Sequence, residues 1–234
     1  MPEVTISTAV LFGFLLGVKH AMDADHVVAV TTIVSRSRGI LRSAMVGLSW
    51  GIGHTVTLFV VGFGVLVFKL TIPDRLALSM EFAVGVMLIL LGIPLIKRLA
   101  QRTHGHWHQH GDKRHFHSHA HDKAPSHDHQ HIRRSLLMGM IHGLAGSGAL
   151  TVLVLGAMSS VAQGLVFLLL FGIGSILGML LFSGFISLPF RFAAGFSLRL
   201  NLWVQGAAGI ISILFGLFIM WRAGFAGGLF ISPA

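Results

Sequence analysis

Cysteine is absent from this 234-residue chain, which excludes disulfides and thiolate metal ligands alike. Charge is scarce as well: 11% of residues are charged against 54% apolar, with a mean hydropathy of +0.81. A soluble domain carries about a quarter charged residues, so the composition is that of an integral membrane protein. No HExxH pattern and no Walker or Rossmann glycine pattern occurs. Their absence argues against an intramembrane metalloenzyme and against ATP-driven pumping by this chain alone, so no enzymatic activity is expected. The first apolar run is long and lacks a preceding Lys/Arg cluster, as expected of a retained span rather than a signal peptide. Acidic residues number 8 against 17 Lys and Arg, a net charge of +9. Most of the basic residues lie in short loops between apolar runs, where they act as topology signals rather than a nucleic-acid footprint.

Six apolar runs approach the roughly 20 residues that a spanning helix requires: 6–34, 44–68, 77–96, 135–158, 164–189 and 202–221. The first is longer than a bilayer needs and carries a dense polar cluster, Lys19-His20-Ala21-Met22-Asp23-Ala24-Asp25-His26. An ionised group at bilayer depth costs at least roughly 2.5 to 3.5 kcal/mol, so such a cluster is expected to face a cavity and bind something rather than merely fix helix packing. Imidazole nitrogen with carboxylate oxygen suits borderline divalent metals such as Ni, Co or Zn. His20 and Asp23 share a helix face, as do Asp23 and His26, whereas Asp25 stands about 140° from His20 on a regular helix. A kink, tilt or unwinding between Gly17 and His26 is therefore expected.

Beyond the cluster, His54 follows two glycines in Trp50-Gly51-Ile52-Gly53-His54, and His142 lies in the fourth run. Either histidine can serve a metal or simply hydrogen-bond a carbonyl. Lys19 reads equally as a competing cation or a snorkelling helix end, Met22 lies inside the cluster, and Glu81 reads as an interfacial residue. Between 97 and 134 the chain is polar and holds eleven of the fifteen histidines: His104, His106, His108, His110, His115, His117, His119, His121, His127, His129 and His131. By composition this is an auxiliary metal-binding loop, expected to be disordered without metal.

Internal repetition supplies the architecture. Leu16-Gly17-Val18-Lys19-His20 resembles Met138-Gly139-Met140-Ile141-His142; Trp50-Gly51-Ile52-Gly53-His54 resembles Phe171-Gly172-Ile173-Gly174-Ser175; Gly85 and Gly92 match Gly209 and Gly216. Three matches in order at nearly constant offset predict an all-α polytopic membrane protein of six transmembrane helices in two inverted three-helix repeats, 1–96 and 135–234, joined by the histidine loop. Arg36, Arg38, Arg42, the eight Lys and Arg residues from Lys97 to Arg134, Arg191 and Arg199 follow runs one, three and five, against Lys69, Arg75 and Arg222 on the other side. The positive-inside rule then places the histidine loop in the cytoplasm and both termini outside.

His20, Asp25 and His26 fit a histidine, four residues, then Asp-His, and in this the chain resembles the NiCoT nickel/cobalt transporter family. The resemblance extends to the Gly-His pair at His54. It implies a permease for Ni2+ or Co2+ in a prokaryotic inner membrane, the ion being substrate rather than resident cofactor, with His20, Asp23, Asp25, His26 and His54 lining the path; His142 joins them through its repeat relation to His20. Nickel uptake is the favoured direction, with cytoplasmic nickel chaperones as further partners. The second half departs from longer members: it carries His142-Gly143-Leu144-Ala145-Gly146-Ser147-Gly148 in place of acidic Asp-Thr motifs, and six runs in place of eight spans. It is more similar to the compact branch associated with urease and hydrogenase accessory genes. Efflux relatives also carry a long histidine loop, so export is the alternative, and a membrane-anchored nickel store is the alternative of another class. Metal binding requires neutral imidazoles and is expected to weaken on acidification near the reference histidine pKa of about 6.5.

Overall fold

The computed structural model describes residues 6–37, 39–102, 106–110, 113–117, 132–145 and 160–230. Helices dominate them: α1 (Ile6–His20), α2 (Ala24–Val34), α3 (Ile40–Phe68), α4 (Asp74–Arg102), α5 (132–145), α6 (Val161–Phe196) and α7 (Leu198–Trp221), the last running into a π-helical turn at Arg222–Ala226. The first apolar run is thus broken in two, at the place where the polar cluster falls. Four helical stretches, Ile40–Phe68, Asp74–Ala100, Val161–Phe196 and Leu198–Ala226, are long and apolar enough to cross a membrane, while α1 and α2 are shorter apolar helices. Large apolar side chains such as Leu181, Phe185, Phe192 and Leu214 face outward, and the buried set includes His26, His54, His142, Ser175 and Ser183. Apolar outside and polar inside is the distribution that hydrocarbon favours, and the chain is a multi-pass helical membrane protein. The fourth run, expected over 135–158, is helical as far as 145; its remainder lies outside the described residues.

Within the histidine-rich segment two short strands are described. Strand β1 (His106–His110) pairs antiparallel with β2 (Lys113–His117), placing His106 opposite His117 and His108 opposite His115. Alternation with a period of two and the strand-favouring Trp107 and Phe116 explain the hairpin. His104, His119, His121, His127, His129 and His131 lie outside the described residues.

Because lipid tails are as apolar as the helices, close packing here depends on backbones that can approach one another. Glycine provides it. A Cβ on Gly17 would collide with the Phe171 carbonyl, and one on Gly139 with the Trp50 carbonyl; Gly174 meets the Phe14 carbonyl and Gly53 the Leu136 carbonyl. Between α4 and α7, Gly92 lies against the Gly209 carbonyl and Gly209 against that of Gly92, while Gly85 and Gly216 exchange the same contact. These contacts join α1 to α6, α3 to α5 and α4 to α7, and α2 packs in the middle against α7, α4 and α6. Its Ala29, Val30 and Val34 share a core with Trp50, Leu88 and Met179.

Replacing Gly139 by Val should lower the thermal midpoint of the detergent-solubilised protein, since overpacking costs about 1 to 3 kcal/mol. Gly195→Ala, where nothing lies within 4 Å, should hold or raise it. Equal midpoints for the two variants would contradict the glycine packing.

Candidate metal site at the break between α1 and α2

Helix α1 ends at His20 and α2 begins at Ala24, and the turn between them is closed by Met22 N–H to Lys19 O (2.9 Å) and Asp23 N–H to His20 O (3.0 Å). Such a break in an apolar environment leaves backbone groups that need partners. Asp23 stands at the N-cap of α2, a position where its side chain would ordinarily accept from the helix, yet it makes no such bond. Its Oδ2 accepts from His20 Nδ1–H at 2.8 Å, and its Oδ1 lies 3.8 Å from Lys19 Nζ. Asp25 takes over in the first turn, where a negative charge suits the helix N-terminus: its Oδ1 accepts from the His26 backbone N–H at 3.0 Å.

The side-chain partners fix the tautomers. His26 Nδ1–H donates to the His20 carbonyl at 2.8 Å, so His26 Nε2 carries the lone pair. That atom is buried and has no hydrogen-bond partner. His20 gives its Nδ1–H to Asp23, so its Nε2 is likewise the bare nitrogen, and it lies 3.2 Å from His54 Nε2. His142 Nε2–H donates to Asp25 Oδ2 at 3.0 Å. The His26 ring sits between the others, with centroids 4.6 Å from His20, 5.0 Å from His54 and 4.4 Å from His142. Phe171 and Trp50 wall the cluster, 5.1 Å from His20 and 5.6 Å from His142 between ring centroids.

Chemically, this is a set of donors brought together from three parts of the chain. One donor atom each from His20, His26 and His54 lies within 4.8 Å of the other two, and the same holds for Asp25, His26 and His142. Metal–nitrogen bonds near 2.1 Å put neighbouring donors about 3.0 to 3.4 Å apart, which the His20–His54 separation already matches. A carboxylate holding the far nitrogen of a histidine, as Asp23 holds His20, is the usual device for orienting an imidazole ligand.

Of the residues expected at the site, the break in the helix brings together His20, Asp25 and His26, and α3 and α5 supply His54 and His142. Asp23 belongs to neither convergent group among the described residues; it holds His20 instead. Met22 is exposed and outside the cluster, and Lys19 turns to Asp23. Glu81 pairs with Arg222, away from the histidines. Sequence reasoning did not assign Phe171 and Trp50 to the walls, nor the buried, unpartnered hydroxyls of Ser175 and Ser183 to the interior. For Ser175 a signal existed: in the internal repeat it stands where His54 stands in the first half.

Comparison with known proteins adds two relationships. Residues 64–218 match the family described as cytochrome c biogenesis protein transmembrane region. That match begins after His54 and so covers the helical scaffold and His142 but none of the other histidines of the cluster. With no cysteine, the chain itself has no thiol–disulfide chemistry to contribute. Over 98% of both chains the sequence is 39% identical to the urease accessory protein UreH of Bacillus sp. (strain TB-90). No solved structure matches. One relationship is to a transmembrane region and the other to an accessory protein, and the chain is not an enzyme. The chain belongs to this family of transmembrane regions and to the family of UreH, which fits the compact urease/hydrogenase-accessory-like branch of the NiCoT family that the motif at His20 to His26 resembles.

Proposed function

We propose that the chain is a secondary transporter of Ni2+ or Co2+ across a prokaryotic inner membrane, working in the direction of uptake. The observation that carries this reading is His26 Nε2: a lone pair buried among three other imidazoles and a carboxylate, with no partner of its own. An unsatisfied buried polar atom costs about 1 to 3 kcal/mol, and a partly dehydrated cation supplies the missing partner. Oxygen and nitrogen donors without sulfur select borderline divalent ions. A relative named for service to urease is reconciled more simply with delivery of the ion than with its expulsion.

Six crossings in two inverted halves are the scaffold of this reading, with α1 and α2 forming one interrupted crossing. The glycine contacts support it: shifting each residue by the repeat offset turns Gly17 on Phe171 into Gly139 on Trp50, and Gly174 on Phe14 into Gly53 on Leu136. Two halves related by a pseudo-twofold axis would exchange their contacts in this way, and discontinuous helices at the axis are where such transporters bind their ions. Burial, with Arg98 and Arg134 nearby, pulls the Arg36 guanidinium below its usual pKa, so the ends of α2 and α4 and the start of α5 gather on one basic face. The positive-inside rule makes that face cytoplasmic, with the histidine loop beside it to receive the ion.

Radiolabelled nickel flux, run in both directions, tests the proposal. His26→Ala should abolish uptake while membrane insertion stays normal; wild-type flux in that variant would contradict the site. Asp23→Asn should weaken nickel affinity about 10- to 100-fold without destroying transport, as expected of a residue that only orients His20. Deletion of 104–131 should leave flux in place and reduce nickel retained by the cells. Loss of flux on that deletion would favour a store or a loop-driven process instead.

A further inference from the structure

The five donors of the cluster do not form one group. His20, His26 and His54 make one triad and Asp25, His26 and His142 another, with His26 common to both. His20 is the last residue of α1 and Asp25 the second of α2, so the triads straddle the break, and the ring centroids of His54 and His142 are 6.0 Å apart.

Each triad contains one side-chain hydrogen bond. His20 and His54 face each other nitrogen to nitrogen at 3.2 Å, one donating to the other, and His142 donates to Asp25 at 3.0 Å. His26 Nε2 belongs to neither bond, and His54 Nδ1 and His142 Nδ1 are likewise buried without partners. A cation in the first triad would open the His20–His54 bond, the proton on His54 Nε2 passing to its bare Nδ1, and leave the Asp25–His142 pair intact; in the second it would open that pair, the proton on His142 Nε2 passing likewise to Nδ1, and leave the His20–His54 bond in place. In either place the ion satisfies His26, and the vacated triad satisfies itself.

Resting on the transport reading above, we propose that the cluster holds two adjacent positions for one divalent transition-metal ion, and that the ion passes from one to the other by pivoting on His26. The first position is all imidazole. The second adds the Asp25 carboxylate and is the harder of the two, so the ion is handed from three nitrogens to two nitrogens and an oxygen as it crosses the break. His26 is suited to the pivot because its Nδ1–H is anchored on the His20 carbonyl, which holds the ring while its opposite nitrogen changes partners' company.

The test uses the full-length chain, nickel alone as probe, a chelator wash that strips ion from exposed histidines, and flux in reconstituted vesicles. His54→Ala should confine the ion to the second triad and His142→Ala to the first. Each should retain nickel after the wash and translocate it about tenfold or more slowly than wild type, whereas His26→Ala should retain none. If either single variant also retains none, the five side chains form one indivisible site and the two-position account is overturned; translocation at the wild-type rate in either variant overturns it as well. Should the wild-type chain neither retain nickel nor move it, the transport reading itself fails, a result distinct from both.

Discussion

The cluster depends on a helix that stops inside an otherwise apolar run, between His20 and Ala24. The backbone groups freed there need partners. The turn at Ala21–Asp23 finds them in the residues that also carry the chemistry. The His20 carbonyl accepts from both the Asp23 backbone and the His26 ring, and Asp25 accepts from the first turn of α2. Satisfying the break and orienting the donors are one act. Two helix ends in series also let His20 and Asp25, which would point apart on a regular helix, reach the same small volume.

Around that break the glycines decide how near the other histidines can come. Gly139 and Gly143 let α5 ride directly on the backbone of α3 at Trp50 and His54, which is what carries His142 to Asp25. Gly17 and Gly174 do the same for α1 and α6, bringing Phe171 against His20. The residues that look least chemical in the sequence therefore set how closely the side chains of the cluster approach one another, and bulk added at them would act on the cluster from a distance.

Much of this was legible beforehand. Composition and run length identified a multi-pass helical membrane protein, four of whose described helices are long and apolar enough to cross, and the spacing of His20, Asp25 and His26 foretold the break, because a regular helix cannot gather them. The repeat pointed to His142, a histidine that its local sequence would leave unremarkable. Less legible was the division of labour among the carboxylates. On paper Asp23 shares a face with both histidines and reads as a ligand; in the fold it is committed to the far side of His20, a fact set by the turn's backbone and invisible to periodicity. The helix ends were also read short, α3 beginning at Ile40 and α6 reaching Phe196, since polar residues at the ends of a span do not interrupt its hydrogen bonding. Pairing of β1 with β2 in the histidine loop escaped a reading based on composition, although the alternation was in plain view.

Anomalous scattering from nickel-loaded crystals of the full-length chain would examine the central claim most directly. A nickel peak at bonding distance, about 2.1 Å, from His26 Nε2 is the predicted result. Nickel bound only elsewhere, with His26 Nε2 left facing its neighbouring imidazoles, would contradict it.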